Sequence, residues 1–117
     1  MPYTLTTKIS FDAAHYLRNY QGKCANLHGH LWTVEVTVEG EELNEIGILV
    51  DFKDIKRVLK DEVENYFDHY CLNELEPFTR INPTAENLAK YIYNSILQDM
   101  NRLEVKLERV TVWEYPE

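Results

Sequence analysis

Side chains alternate along the first part of the chain. From Tyr3 to Ala13 the odd positions read Tyr, Leu, Thr, Ile, Phe, Ala, and the even ones Thr, Thr, Lys, Ser, Asp. Successive side chains of a strand point to opposite faces, so this run predicts a strand with one buried face. A second strand is expected at about His30–Glu39, where His30, Trp32, Val34, Val36 and Val38 share one parity and the other is mostly Thr and Glu. A polar loop of roughly residues 16–27, containing Gly22 and Cys24, joins the two. After Gly40 the apolar run Ile46–Val50 predicts a third strand.

The period then changes. Asp51 is placed to cap a helix, and Phe52, Ile55, Val58, Leu59, Val63, Tyr66 and Phe67 follow at helical spacing, so a helix is expected to end near Phe67. Asn82-Pro83-Thr84 opens a second helix, with Leu88, Ala89, Ile92, Ile96 and Met100 on one stripe. A last strand is expected over Leu103–Tyr115. Its apolar parity is odd at Leu107 but even at Val110 and Val112, which predicts a bulge near Arg109. The fold class is α+β: a four-stranded antiparallel sheet with two helices on its apolar face, and a second face rich in Thr, Lys and Glu.

Length and charge narrow the function. The 117 residues suit one domain over the whole chain, 1–117, whose core needs neither disulfides nor a structural metal. Twelve basic against twenty acidic residues give a net charge of −8, which disfavours nucleic acid and anionic membranes as partners. No apolar stretch is long enough to span a bilayer, and the N-terminus lacks the build of a signal peptide. A cytoplasmic location with Cys24 and Cys71 as reduced thiols is therefore expected.

The candidate chemistry lies in the histidines. His28 and His30 are two apart on an extended chain and point the same way, and His15 ends the first strand on its apolar parity. If the two strands pair, three imidazoles converge. Three His ligands with an open fourth position are the arrangement of a catalytic zinc, whereas a structural zinc more often carries cysteines. Unrelated core or surface histidines are the plainer reading.

Other residues carry weaker signals. A thiol near a cation loses its proton more readily, which makes Cys24 a candidate base or nucleophile; a buried small side chain or a fourth metal ligand are its alternatives. Asp68-His69 pairs a proton donor with a carboxylate that can orient it, and equally a His at a helix end stabilised by the dipole. Glu114 shares the parity of Val110 and Val112. It could accept two N–H groups from a planar amidine-like ligand, or lie in a solvated terminus. Arg18 and Lys23, in the loop, could meet phosphates. Gly22, His28, His30 and Glu35 nearly match the first metal motif of cupin barrels, but the two amphipathic helices have no place in an all-β barrel, and Glu35 falls on the opposite parity from the histidines.

Taken together, the motifs Phe11-Asp-Ala-Ala-His15, Cys24-x3-His28-Gly-His30, Val50-Asp-Phe52, Asp68-His69, Pro83-Thr-Ala-Glu-Asn87 and Trp113-Glu114 resemble the 6-pyruvoyl-tetrahydropterin and 6-carboxy-tetrahydropterin synthase family over nearly the whole chain. The resemblance implies zinc (Zn2+) on His15, His28 and His30, a general base at Cys24, a proton relay of Asp68 and His69, and a pterin anchor at Glu114, with Thr84 a further substrate contact. It implies a tunnelling fold whose trimers close a twelve-stranded barrel and stack into a hexamer, with active sites at subunit junctions. The implied substrate is 7,8-dihydroneopterin triphosphate. The three-residue gap between Cys24 and His28 is similar to the carboxy type, a lyase that also releases acetaldehyde on the way to queuosine. Pyruvoyl synthesis and a non-catalytic zinc- or pterin-binding module are the alternatives. Asp12 departs from the small polar residue commoner in the family.

Overall fold

Two long strands form the centre of the fold in the computed structural model, which describes residues 1–114. β1 (Tyr3–His15) and β2 (His28–Gly40) pair antiparallel along their full length, from Tyr3 opposite Gly40 to His15 opposite His28. The alternation seen in the sequence decides this register. Phe11, Ala13, Trp32, Val34, Val36 and Val38 are buried on one face. A slip by one residue would turn all of them to the other side. Across the second face, Thr6 pairs with Thr37 through hydroxyls 2.9 Å apart, and Ser10 with Thr33 at 3.2 Å.

β4 (Lys106–Trp113) runs antiparallel to β2 on its far side. Thr37 faces Arg109 but Val38 faces Leu107, so Glu108 is the extra residue of a bulge beside Arg109. That insertion lets Leu107 and Val110, on opposite parities, both pack against the core. β4 is shorter than the expected Leu103–Tyr115. Leu103 still belongs to the preceding helix end, its N–H donating to Asp99 and Met100, and Glu104 turns the chain at φ +62. Tyr115 lies outside the described residues.

The third strand is not where the apolar run placed it. Residues 46–50 form bends, because the Asn44 side chain accepts the N–H groups of both Ile46 and Ile48 at 3.0 Å and Gly47 turns at φ +83. Those amides are then unavailable to a strand partner, and Ile46 is left 78% exposed. The third strand is instead β3 (Tyr70–Cys71), two residues pairing parallel with Ala13 and Ala14 of β1. The sheet order is β3-β1-β2-β4, so the sheet is mixed, with one short parallel pair beside two antiparallel ones.

Both helical runs cover the apolar face. α1 (Phe52–Leu59) starts where the Asp51 carboxylate accepts the Lys53 N–H at 2.9 Å. It continues through a π turn (Lys60–Glu64) into α2 (Asn65–Phe67), keeping Ile55, Leu59, Val63 and Phe67 inside. α3 (Ala85–Arg102) is capped by Thr84, whose hydroxyl accepts the Asn87 N–H at 3.1 Å. Leu88, Ile92, Ile96 and Met100 form its buried stripe. At roughly 1.5–3 kcal/mol for each fully buried side chain, that stripe is what holds α3 on the sheet.

Candidate active site

The strand register brings three imidazoles together at one end of the sheet. His15 and His28 are cross-strand partners, and His30 lies two residues along the same face. Ring centroids are 4.5 Å apart for His15 and His28, 4.8 Å for His28 and His30, and 5.2 Å for His15 and His30. One ligand-type nitrogen from each lies within 4.8 Å of the others. Trp32 closes the inner side, its ring 4.9 Å from His15 and its N–H donated to the Ala13 carbonyl at 3.1 Å.

Two of the rings are oriented by backbone carbonyls. His15 Nδ1 lies 2.8 Å from the Pro83 oxygen and His28 Nδ1 lies 2.7 Å from the Asn26 oxygen. A carbonyl can only accept, so each Nδ1 carries the proton and each Nε2 keeps a lone pair. His15 is 1% exposed, and its Nε2 has no hydrogen-bond partner among the described residues. A buried acceptor with nothing to accept is costly. A cation shared by the three rings would satisfy it, and a His held through its other nitrogen is the usual support of a metal ligand. Burial, the largest influence, lowers the pKa of His15 and of His30, which favours the neutral imidazoles that a metal requires. The residues present therefore fit a zinc-type ion.

Glu114 follows β4 directly and reaches this cluster, with a carboxylate oxygen 3.6 Å from His30 Nε2. Because β4 pairs with β2, the carboxylate approaches from the β2 side of the hairpin.

Asp68 and His69 lie on the other side, at the outer edge of β1. Asp68 accepts the Asp12 N–H at 2.9 Å through one oxygen and contacts His69 Nδ1 at 2.8 Å through the other. These two bonds, the Asp12 amide first, hold its pKa below the ordinary carboxylate value. His69 has φ +66, and its backbone N–H donates to the Asp12 carbonyl. Its side chain is 77% exposed. Asp12, Asp68 and His69 group together and share no residue with the imidazole cluster. Asp12 and His69 border an open cleft of about 560 Å³ that His30 and Cys71 also line.

Cys24 sits half-buried in a single 3-10 turn (Lys23–Ala25) of the loop. The Leu17 N–H donates to its carbonyl at 2.8 Å. Its sulfur is not among the atoms clustered with the imidazole nitrogens, which speaks against a fourth metal ligand. The Thr84 hydroxyl is engaged as the α3 cap. Arg18 does not reach out for anions either: its guanidinium donates to the Phe78 carbonyl at 2.8 Å and the Ile81 carbonyl at 3.2 Å.

Several residues of the site left no mark in the sequence pattern. Pro83 acts through a backbone carbonyl, as does Asn26. Asn87 donates its side-chain amide to the Asn82 carbonyl at 2.9 Å and so fixes the chain immediately before Pro83. The Asn-Pro-Thr helix start was the one available signal, and it reads as a cap rather than as a support for His15.

Comparison with known proteins places the sequence and the fold in a known family. Residues 4–117 match the 6-pyruvoyl tetrahydropterin synthase family. A 6-carboxy-5,6,7,8-tetrahydropterin synthase of Bacillus subtilis (strain 168) is 38% identical over 119 residues, covering 96% of this chain and 79% of that protein. A dihydroneopterin monophosphate aldolase of Pyrococcus furiosus is also 38% identical, over 107 residues covering 92% and 85%. The structure of Caenorhabditis elegans 6-pyruvoyl tetrahydropterin synthase superposes with a TM-score of 0.87 at 29% identity, covering 99% of this chain and 91% of that one.

Proposed function

Since this chain belongs to the 6-pyruvoyl tetrahydropterin synthase family, we propose that it converts 7,8-dihydroneopterin triphosphate and one water to 6-carboxy-5,6,7,8-tetrahydropterin, acetaldehyde and triphosphate, as one zinc-dependent domain over residues 1–117. The observation that carries this reading is the cluster of His15, His28 and His30, with an unsatisfied His15 Nε2 inside it and the Glu114 carboxylate 3.6 Å from His30. A metal site and an acceptor for a planar N–H pair then lie side by side. The carboxy type is favoured by the three-residue spacing of Cys24 and His28 and by the relative from Bacillus subtilis.

His15, His28 and His30 would hold the zinc, which when bound supplies Lewis acidity to the substrate's side-chain oxygens. Glu114 accepts the 2-amino group and the neighbouring ring N–H, which fixes the pterin in the plane of its carboxylate. Thr84, at the start of α3, is a further contact. Cys24 as thiolate takes the side-chain proton next to the ring. His69, oriented by Asp68, returns a proton to the ring.

Within one chain Asp68 and His69 form a group separate from the three imidazoles, and in this reading they serve a zinc held by a neighbouring copy. That requires an oligomer, here a hexamer of two stacked trimers with sites at subunit junctions. Among the described residues no helix is long and apolar enough to cross a membrane; the proposed place of action is the cytoplasm, on the route to queuosine.

The equal identity to a dihydroneopterin monophosphate aldolase favours one second reading, side-chain cleavage of a monophosphate substrate. Incubating the zinc-loaded protein with 7,8-dihydroneopterin triphosphate, and separately with the monophosphate, decides between them. A 6-carboxy product with acetaldehyde from the triphosphate establishes the first. A 6-pyruvoyl product keeps the site and overturns the spacing argument, and cleavage of the monophosphate alone establishes the aldolase. Cys24→Ala should lower turnover by about two to four powers of ten with zinc content unchanged.

A further inference from the structure

Two asparagines far along the chain grip the loop that carries Cys24. Asn73, 5% exposed, accepts the Tyr16 N–H and donates to the Tyr16 carbonyl, both at 3.0 Å. Asn82 does the same at Arg18, accepting the N–H at 2.9 Å and donating to the carbonyl at 3.0 Å. An amide side chain satisfying both polar groups of one residue imitates the pairing of a neighbouring strand. Tyr16 and Arg18 are two apart, so both clamps close the same edge, in continuation of the parallel pairing of Ala13 and Ala14 with β3.

Leu17 lies between the clamped residues and presents its N–H to the opposite edge, where it donates to the Cys24 carbonyl at 2.8 Å. The guanidinium of Arg18 adds a third tie, to the carbonyls of Phe78 and Ile81. The loop therefore does not float between β1 and β2. Its entry is tied to the chain that follows Asp68-His69, and Cys24 is bonded to that entry.

We propose that Asn73 and Asn82 are positioning residues for Cys24: by clamping Tyr16 and Arg18 they hold Leu17 where its N–H fixes the Cys24 backbone. In this deepening of the reading that makes Cys24 the base, neither asparagine touches substrate. Each clamp comprises two hydrogen bonds, so losing one should open the Leu17–Cys24 contact by at least about tenfold. The asparagines act on geometry rather than on substrate affinity, so kcat should fall while KM stays nearly constant.

The test is amide hydrogen exchange on the zinc-loaded protein, wild type against Asn73→Ala and Asn82→Ala. Asn73→Asp and Asn82→Asp serve as milder variants, which keep the acceptor and lose the donor if the alanines do not fold. The expected result is faster exchange at Leu17 with the β1–β2 amides near Val34 and Val36 unchanged, and a fall in kcat. Unaltered Leu17 exchange in every folded variant overturns the proposal. So does faster exchange with full turnover, provided Cys24→Ala is itself inactive. If Cys24→Ala retains turnover, the base assignment fails first and separately, while the exchange result still decides whether the clamps hold the loop.

Discussion

His15 donates its Nδ1–H to the carbonyl of Pro83, 68 residues away, at 2.8 Å. This bond makes the start of α3 part of the imidazole cluster. Proline has no N–H and Pro83 is buried, so its carbonyl is held by the turn that Thr84 caps and Asn87 braces. The ring of His15 is thereby fixed in one tautomer with its Nε2 turned toward His28 and His30.

Loosening that turn should weaken the metal without removing a ligand. Asn87→Ala takes away the bond to the Asn82 carbonyl, and we expect zinc affinity to fall roughly tenfold to a hundredfold, the usual effect of losing an outer support. Competition against a chromophoric chelator measures it. Affinity equal to wild type would mean that the Pro83 carbonyl needs no brace.

His28→Ala should abolish zinc binding while leaving the chain folded, because the core of Phe11, Trp32, Val34 and the helix stripes does not include His28. Circular dichroism and metal analysis of the purified variant report both quantities. Loss of the folded state on losing zinc would make the site structural.

Acidification should destabilise the metal-free protein below about pH 6.5, the ordinary histidine value. Burial holds His15 and His30 below that value in the folded state, whereas the unfolded chain takes up protons at it. Between the two the unfolded state binds more protons, so stability falls as pH falls through this window. Thermal midpoints from about pH 8 to about pH 5 test the sign. The depressed carboxyl of Asp68 contributes only at lower pH, below the usual carboxylate range, so the two losses separate. A midpoint that rises on acidification would show that Glu114 beside His30 outweighs burial.

His69→Asn separates backbone from chemistry at the relay. Asn tolerates a positive φ, so the variant should keep its stability to within about 0.5 kcal/mol while turnover drops by about two or more powers of ten. A chemical denaturation curve and a steady-state assay on the same preparation give both numbers. Retained turnover would remove His69 from the reaction.

Thr84→Ala should cost about 1 kcal/mol through loss of the α3 cap, and Thr84→Ser should restore it. KM separates this role from substrate binding. If Thr84 contacts the pterin, Thr84→Ala raises KM as well, and a KM unchanged by the substitution leaves the residue with the cap alone.

Much of the fold could be read locally. The alternation in residues 3–13 and about 30–39 predicted two strands and their facing sides, and so placed His15, His28 and His30 on one surface once the strands pair. Period and parity are properties of neighbouring residues, and a one-residue error would have buried the wrong set. The cap at Asp51, the helix opening at Asn82-Pro83-Thr84 and the bulge near Arg109 are local in the same sense. The apolar run at Ile46–Val50 misled because one side chain, Asn44, took the amides that a strand must share. β3 escaped notice because two residues carry no period. The Pro83 carbonyl and the Asn73 and Asn82 clamps depend on bonds between groups 57 to 68 residues apart. Backbone carbonyls are alike in every residue and a side-chain amide has no periodic signature, so only the packed chain determines which of them meet. The sequence by itself determined which side chains share the face that gathers the three histidines; the tertiary structure alone decided what holds those histidines, and the loop of Cys24, in place.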